Sequence, residues 1–350
     1  MLTQLTVQRY KSLYDVTVDL EPLTVFIGPN GSGKSNICEA LVVLSYLLDR
    51  MKQLFHVGEN QYLELDQFHQ SFSRLSNQVQ VEAKFWQGNT GVPMSFGFVE
   101  RTNSGIVQLG PIFIFDPKQV SREEKYILRV TAEILRALGR VALYDFSPTY
   151  LSELTTESFQ SSGRGVANAL TAILLDNRER FVELEQRFIQ LVPNISRISL
   201  KRGGSSDILR LVDRFSEHLI PAADISDGTL RLLGFLAALY QIQPPDVLCF
   251  EEPENGVHPW LLHKMVELLN LVSTEGIGGK PVQVLITTHS PVLLNYVKPQ
   301  QVRAVELDEE GRTQVYPLPT DSARFQKAME AYDNALGELW FTNIFGGNPS

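Results

Sequence analysis

Gly28-Pro29-Asn30-Gly31-Ser32-Gly33-Lys34-Ser35 satisfies the pattern G-x-x-x-x-G-K-[ST] at every fixed position. Triphosphate oxygens must be met by several backbone N–H groups at close range, and Gly31 and Gly33 leave no Cβ in the way. Lys34 would set a compact cation between β- and γ-phosphates, and Ser35 would offer a hydroxyl to Mg²⁺. A helix beginning here adds the partial positive charge of its N-terminus. The expected nucleotide contacts in this stretch are Asn30, Gly31, Ser32, Gly33, Lys34, Ser35 and Asn36.

Three further pieces could complete a phosphate-transfer site. The apolar run Val247-Leu248-Cys249-Phe250 stops abruptly at Glu251-Glu252-Pro253-Glu254, which would aim carboxylates into the crevice at the carboxyl end of a buried parallel strand. Glu251 is expected to orient Mg²⁺ or its waters, and Glu252 to polarise the attacking water as general base. Asp246 stands at the wrong end of that strand. The next apolar run, Val282–Thr287, leads into Thr288-His289-Ser290-Pro291, where the His289 imidazole could hold the γ-phosphate or the water. Ser226-Asp227-Gly228-Thr229 opens an apolar helix, and the Ser226 side chain with the Gly228 amide would make a second oxyanion contact. His258 is a weaker candidate, suited to shaping a subunit contact.

The elements that must position these residues follow from patterning. Gln4–Val7, Val16–Leu20 and Leu23–Ile27 read as strands, as do Val79–Trp86, Ser95–Glu100 and Ile112–Phe115. A helix runs from the phosphate loop through Leu48. Ser121-Arg122-Glu123-Glu124 has the form of a capping box before Ile127, Val130, Ile134 and Leu138. Phe181, Leu184, Phe188 and Leu191 make a second helical face closed by Pro193, with strands expected at Arg197–Leu200 and Ile208–Val212. From Thr229–Ile242 onward, helix and strand alternate through Val247–Phe250, Leu261–Val272, Val282–Thr287 and Val302–Leu307, the pattern of a mostly parallel sheet with covering helices.

Composition bounds the rest. The 350 residues carry 43% hydrophobic and 20% charged side chains, enough apolar content to offset the ordering entropy of a folded chain. Ala40–Leu48 and Leu230–Ile242 fall far short of the roughly 18 residues a membrane span needs, and no secretory signal opens the chain. No membrane partner is therefore expected. The two cysteines, Cys38 and Cys249, exclude a disulfide framework and suit buried positions in a reducing, cytoplasmic setting. A net charge of −9 argues against a generic polyanion binder while leaving room for a local basic groove. Lys201-Arg202-Gly203-Gly204 and Arg9 with Lys11 are the candidate basic clusters.

These pieces, in this order, resemble the ABC-type ATPase heads of the RecF and SMC group, and most closely the compact bacterial AAA-family ATPases that include the ATPase part of OLD-type proteins. Ser226-Asp227-Gly228-Thr229 resembles the signature motif, Glu251 through Pro259 the acidic strand end and following loop, and Thr287 through Pro291 the switch histidine. Tyr10-Lys11-Ser12-Leu13, and Leu336 through Trp340 with Gly346-Gly347, resemble the family's two ends. Glu251 stands where most ABC heads carry Asp, and the signature lacks the Gly-Gly pair of transporter heads. No Q-loop glutamine is assigned, and no TOPRIM nuclease domain is expected within these residues.

The resemblance implies an α/β P-loop NTPase of ABC-ATPase type: a mostly parallel sheet with flanking helices, an N-terminal antiparallel β subdomain and an inserted helical lid. One ATPase domain is expected over 1–350, with a β-rich lobe at 1–117, a helical lid at 118–222 and a signature and switch lobe at 223–350. It further implies ATP and Mg²⁺ as ligands, an ATP-dependent homodimer in which Ser226 and Gly228 of one copy cover the nucleotide of the other, and DNA as partner in repair or antiviral defence. The alternative is a nucleotide-gated scaffold with little turnover that controls a separately encoded nuclease or toxin.

Overall fold

The computed structural model describes the backbone of residues 1–57, 78–87, 90–100, 107–108, 140–203 and 206–347, and the side chains of these outside 46–139. Strands β1 (Leu2–Tyr10), β2 (Leu13–Asp19) and β3 (Leu23–Ile27) lead to helix α1 (Lys34–Val57). Then come β4 (Gln78–Gln87), β5 (Thr90–Glu100), β6 (Val107–Gln108) and β7 (Val141–Tyr144). Helices α2 (Pro148–Leu151), α3 (Val166–Asp176) and α4 (Arg178–Leu191) precede strands β8 (Ile195–Gly203), β9 (Ser206–Asp213) and β10 (Leu219–Pro221). The last part holds α5 (Asp227–Leu239), β11 (Val247–Glu251), α6 (Leu262–Thr274), β12 (Gln283–Thr288) and α7 (Pro291–Leu294), then β13 (Val302–Leu307), β14 (Thr313–Pro317), α8 (Ala323–Ala331) and α9 (Leu336–Phe341).

The central sheet has the order β14-β13-β3-β12-β11-β7 and is parallel except where β14 returns beside β13. Its inner strands are buried on both faces, which is why β3, β11 and β12 read as near-continuous apolar runs rather than as alternations. Each strand feeds two apolar layers. Leu23, Val25, Ile27, Leu248 and Phe250 join the layer of α3, α4, α5 and α6, whereas Phe26, Val247 and Cys249 join that of β1, β2 and α1. Gln283, a buried polar residue at the start of β12, bonds Leu2 through both its amide and carbonyl and also reaches the Glu21 carbonyl. That stitch fixes the antiparallel sheet β2-β1-β4-β5-β6 to the central one.

A third sheet, β10-β9-β8, is antiparallel and packs on α3 and α4. The expected face Phe181, Leu184, Phe188 and Leu191 is buried along α4, which Asn177 caps by accepting from the Arg180 amide. Both expected strands after it are present in β8 and β9. The expected strand at Ile112–Phe115 and the helix after Ser121 lie outside the described residues.

Among the elements that go beyond the sequence expectation, three show why. β7 is an edge strand of only four residues, Val141-Ala142-Leu143-Tyr144, an apolar run too short to tell from a turn of helix, with only Tyr144 buried. In β14 only Thr313 is buried. α3 has apolar residues on most of its surface, which hides the helical period. Among the described residues no helix is long and apolar enough to cross a membrane.

Candidate functional site

β3 ends at Ile27 and the chain turns through the glycine-rich loop into α1. Gly31 and Gly33 have φ of +79° and +99°, a left-handed backbone that side chains with a Cβ adopt only under strain. Their open sides differ. A Cβ on Gly31 would meet nothing within 4 Å, as a ligand-facing glycine requires. A Cβ on Gly33 would lie 2.0 Å from Thr313 Oγ1 and 2.7 Å from Ser12 Oγ, so the protein itself occupies that space. Thr313 Oγ1 donates to the Ser32 carbonyl at 2.9 Å and lies 2.7 Å from Ser12 Oγ, and Asn36 Nδ2 donates to Ser12 Oγ at 2.8 Å. Asn36 is thus engaged with the β1–β2 turn, while Asn30 is exposed at the loop tip.

Lys34 is buried, and its ammonium donates to the carbonyls of Gly28 and Pro29, both at 2.8 Å. Burial lowers its pKa against the opposing pull of Glu252, Glu254 and Glu251. The Ser35 hydroxyl stands near enough to the Glu251 carboxylate to lower its pKa, bringing together the two residues expected to hold a metal. Burial pushes the Glu251 carboxyl up. The nearby Ser35 hydroxyl opposes this, and the negative charges of Asp145, Glu39 and Glu252 add to the rise. A cation beside Glu251 would relieve all of these.

β11 and β12 are in parallel register with Glu251 opposite Thr287, so the residues just beyond them, Glu252 and His289, come level at neighbouring strand ends. The Glu252 amide donates to the Thr287 carbonyl at 3.0 Å, and its φ of +42° marks a sharp turn away from the strand. Its Oε1 lies 3.0 Å from His289 Nδ1, and its Oε2 accepts from Asn255 Nδ2 at 2.8 Å. Partial burial would raise this carboxyl, but Asn255, His289 and the Lys34 charge outweigh it and hold the pKa below the usual value. Glu252 is therefore a charged, oriented acceptor at neutral pH.

Ser226 caps α5. Its Oγ donates to Thr229 Oγ1 at 2.8 Å and accepts from the Thr229 amide at 3.4 Å. The hydroxyl stays exposed. Gly228 lies against Gly256, whose carbonyl oxygen would sit 1.9 Å from an added Cβ. Among the described residues neither Ser226 nor Gly228 bonds the phosphate loop, Glu252 or His289. His258 accepts from the Trp260 amide at 3.4 Å and caps a short turn. Of the basic clusters, Lys11 is spent on an ion pair with Glu39, while Lys201 and Arg202 are exposed.

Several residues were not singled out by the sequence. Glu254 is buried, accepts from Thr288 Oγ1, and keeps Oε2 without a partner; burial raises its pKa. Asp145 follows Tyr144, the register partner of Phe250, and so stands beside Glu251. Ser12 and Thr313 brace the loop from far away in the chain, a relation no local spacing signals. Glu254 had a local signal in the acidic quartet interrupted by Pro253.

The donor chemistry fits a magnesium-bound polyphosphate. Ser32 Oγ is buried with no partner, Lys34 supplies an ammonium, and Ser35 and Glu251 form a hydroxyl–carboxylate pair at the start of a 24-residue helix. Residues 23–295 match the family model described as "AAA domain, putative AbiEii toxin, Type IV TA system". The chain belongs to this AAA-domain family. The match opens at the first residue of β3 and runs past His289, taking in the phosphate loop, Ser226, Gly228, Glu251, Glu252, Glu254 and His289, while Ser12 and Thr313 lie outside it. The AAA-domain chain also shares its fold with an Smc head domain from Pyrococcus furiosus, solved with an extended coiled coil and bound to the C-terminal domain of ScpA. The identity is 12%, the TM-score 0.55, and the alignment covers 95% of this chain and 99% of that one. An SMC head domain from Thermotoga maritima aligns at 14% identity and TM-score 0.48, over 91% of this chain and 98% of that one. The protein is thus a member of the AAA-domain family with the fold of an SMC head domain.

Proposed function

We infer that the protein binds and hydrolyses Mg-ATP, closes head-to-head with a second copy over the nucleotide, and acts on DNA in repair or in defence against invading DNA. What carries this reading is the Glu252 carboxylate, kept charged between Asn255 and His289 and within electrostatic reach of Lys34 on the phosphate loop.

The amides of Gly31 through Ser35 and the Lys34 ammonium would hold the phosphates, Lys34 exchanging its two loop carbonyls for phosphate oxygens. Ser35 and Glu251 would hold Mg²⁺, which when bound supplies Lewis-acid charge at the phosphates. Glu252 accepts a proton from the water that attacks the γ-phosphorus, and the bond to the β–γ bridging oxygen breaks to give ADP and phosphate. His289, 3.0 Å from Glu252 Oε1, keeps that carboxylate aimed. Exposed Ser226, with the Gly228 amide, would complete the phosphate shell of the second copy, making ATP the glue of a homodimer. In this reading 1–117, 118–222 and 223–350 act as the lobes of one ATPase domain. The buried free thiols Cys38 and Cys249 suit a cytoplasmic setting.

The family description, which names a toxin of a type IV toxin–antitoxin system, favours a second reading. There the chain holds ATP with little turnover and controls a separately encoded nuclease or toxin. Steady-state hydrolysis and particle mass with ATP, ADP or no nucleotide, on wild type and Glu252→Gln, separate the two. Under the first reading Glu252→Gln abolishes turnover and traps the dimer. A wild type that binds ATP yet turns over no faster than Glu252→Gln selects the second.

A further inference from the structure

The small sheet β10-β9-β8 has one apolar face and one cationic face. Ile198 pairs with Leu211 and Ile220, and Leu200 with Leu209; all of them pack into the core layer. Paired residues share a face and neighbours along a strand alternate, so the opposite face carries Arg197 beside Val212, Ser199 beside Arg210, and Lys201 beside Ile208. Arg197 and Lys201 are exposed and Arg210 half-buried. Among the described strand residues none on this face is a carboxylate. Among the described residues none of the three cations has an ion pair or hydrogen bond, although the whole chain carries a net charge of −9. At the β9–β10 turn, Asp213 accepts from the Ser216 amide and hydroxyl and the Phe215 amide, and the alternation after Val212 places it on the opposite face.

We propose that this face is the docking surface for the backbone of duplex DNA. The proposal rests on the reading of DNA as partner and deepens it by assigning the surface. Three like charges gathered on a flat face, with no internal compensation, are matched by a polyanion. The four residue steps from Arg197 to Lys201 span roughly 13 Å, a length over which duplex DNA presents about eight phosphate charges. Among the described residues none of the strand positions on this face is aromatic, and the one exposed ring nearby, Phe215, stands in the β9–β10 turn, which leaves no run of rings on which successive bases could stack. Its cations reach phosphates rather than base edges, so binding is independent of sequence. β10 ends at Pro221, and one short helical turn, Ala222–Asp224, links it to Ser226, the cap of α5.

The test is fluorescence anisotropy with a labelled 30-base-pair duplex between 50 and 200 mM salt, with and without Mg-ATP. Three phosphate contacts predict that wild-type affinity falls about 40-fold across that range. Arg197→Gln/Lys201→Gln/Arg210→Gln should bind at least tenfold more weakly at 50 mM and lose most of the salt dependence, with thermal stability and nucleotide affinity unchanged. Lys298→Gln/Arg324→Gln/Lys327→Gln, which removes the same charge elsewhere, should bind as wild type. Should the triple variant fold poorly, single Arg197→Gln and Lys201→Gln each lower the salt slope by about 0.9. A variant that binds as wild type overturns the surface and leaves DNA as partner standing. A wild type that binds no duplex in any nucleotide state overturns both. Tighter wild-type binding to phosphatidylserine vesicles or polyglutamate than to duplex overturns the proposal in favour of a membrane or an acidic protein.

Discussion

Replacing Gly228 by Ala sets two effects of opposite sign against each other. Gly228 is the second residue of α5 and has an ordinary helical backbone, so the Ala side chain by itself favours the helix by up to about 1 kcal/mol. The added Cβ would stand 1.9 Å from the Gly256 carbonyl oxygen, whereas ordinary contact begins at 3.4 Å. The two backbones must therefore part by roughly 1.5 Å, and neither partner is a flexible side chain. Overpacking of this kind costs about 1–3 kcal/mol or more, so the clash wins and the net loss is about 1–2 kcal/mol. For a chain this large that lowers Tm by about 1–3 °C, readable by circular dichroism without any nucleotide. Turnover should fall as well, up to about 100-fold with ATP affinity preserved, because Asn255, the neighbour of Gly256, orients Glu252. An unchanged or raised Tm for Gly228→Ala would refute the contact and leave anion approach as the reason for glycine there.

Other perturbations probe the same site. Lys34→Ala should abolish binding of a fluorescent ATP analogue in titration, since the loop loses its single ammonium. Thr313→Val keeps the shape of the brace but removes the donor to Ser32 and the partner of Ser12, so stability should drop about 1–3 kcal/mol in denaturant melts and ATP affinity should weaken. Glu254 is pushed up by burial, so the folded chain holds its proton more tightly than the unfolded chain does. Its contribution to stability therefore declines as pH climbs from the ordinary carboxylate value of 4.5 through the raised folded one. Glu254→Gln, still an acceptor for Thr288, should make that decline shallower in melts across the range.

What could be read from the sequence was whatever is fixed by contiguous spacing or by order along parallel strands. The phosphate loop needs only eight consecutive residues, and its strand and helix flank it directly. Glu252 and His289 could be assigned because parallel strands place their carboxyl ends at one edge of the sheet. Their 3.0 Å contact could not, because it depends on the register of Glu251 with Thr287. The brace of Gly33 by Thr313 and Ser12 lies beyond any local pattern, since Ser32 and Thr313 are 281 residues apart. Gly228 shows a different limit. A glycine at a helix start is as suitable for an anion as for a close backbone approach, and only packing reveals that its missing Cβ makes room for Gly256. Asn36 is similar: its place in the motif suggests phosphate, and its amide is held by Ser12.

The loop that leaves β11 ties the parts together within five residues. Glu252 meets His289 after β12, Glu254 meets Thr288 at the end of β12, Asn255 turns back to Glu252, and Gly256 seats the start of α5 at Gly228. Two of these contacts grip the same strand end, so Glu252 cannot swing toward a phosphate without pulling on Thr288 and His289 through short polar links. Gly256 is closer still to rigid coupling, because backbone pressed on backbone transmits displacement without the slack of a rotamer. A shift of Glu252 on engaging nucleotide would thus be passed, four residues on, to the segment that holds Ser226 exposed. Because β10 enters that same segment from the cationic sheet, a load on either end bears on one short stretch of chain, Pro221 to Gly228. Nucleotide state and duplex affinity should accordingly be linked reciprocally, and Gly228→Ala, which loosens the seat, should weaken that linkage while leaving duplex affinity without nucleotide at its wild-type value.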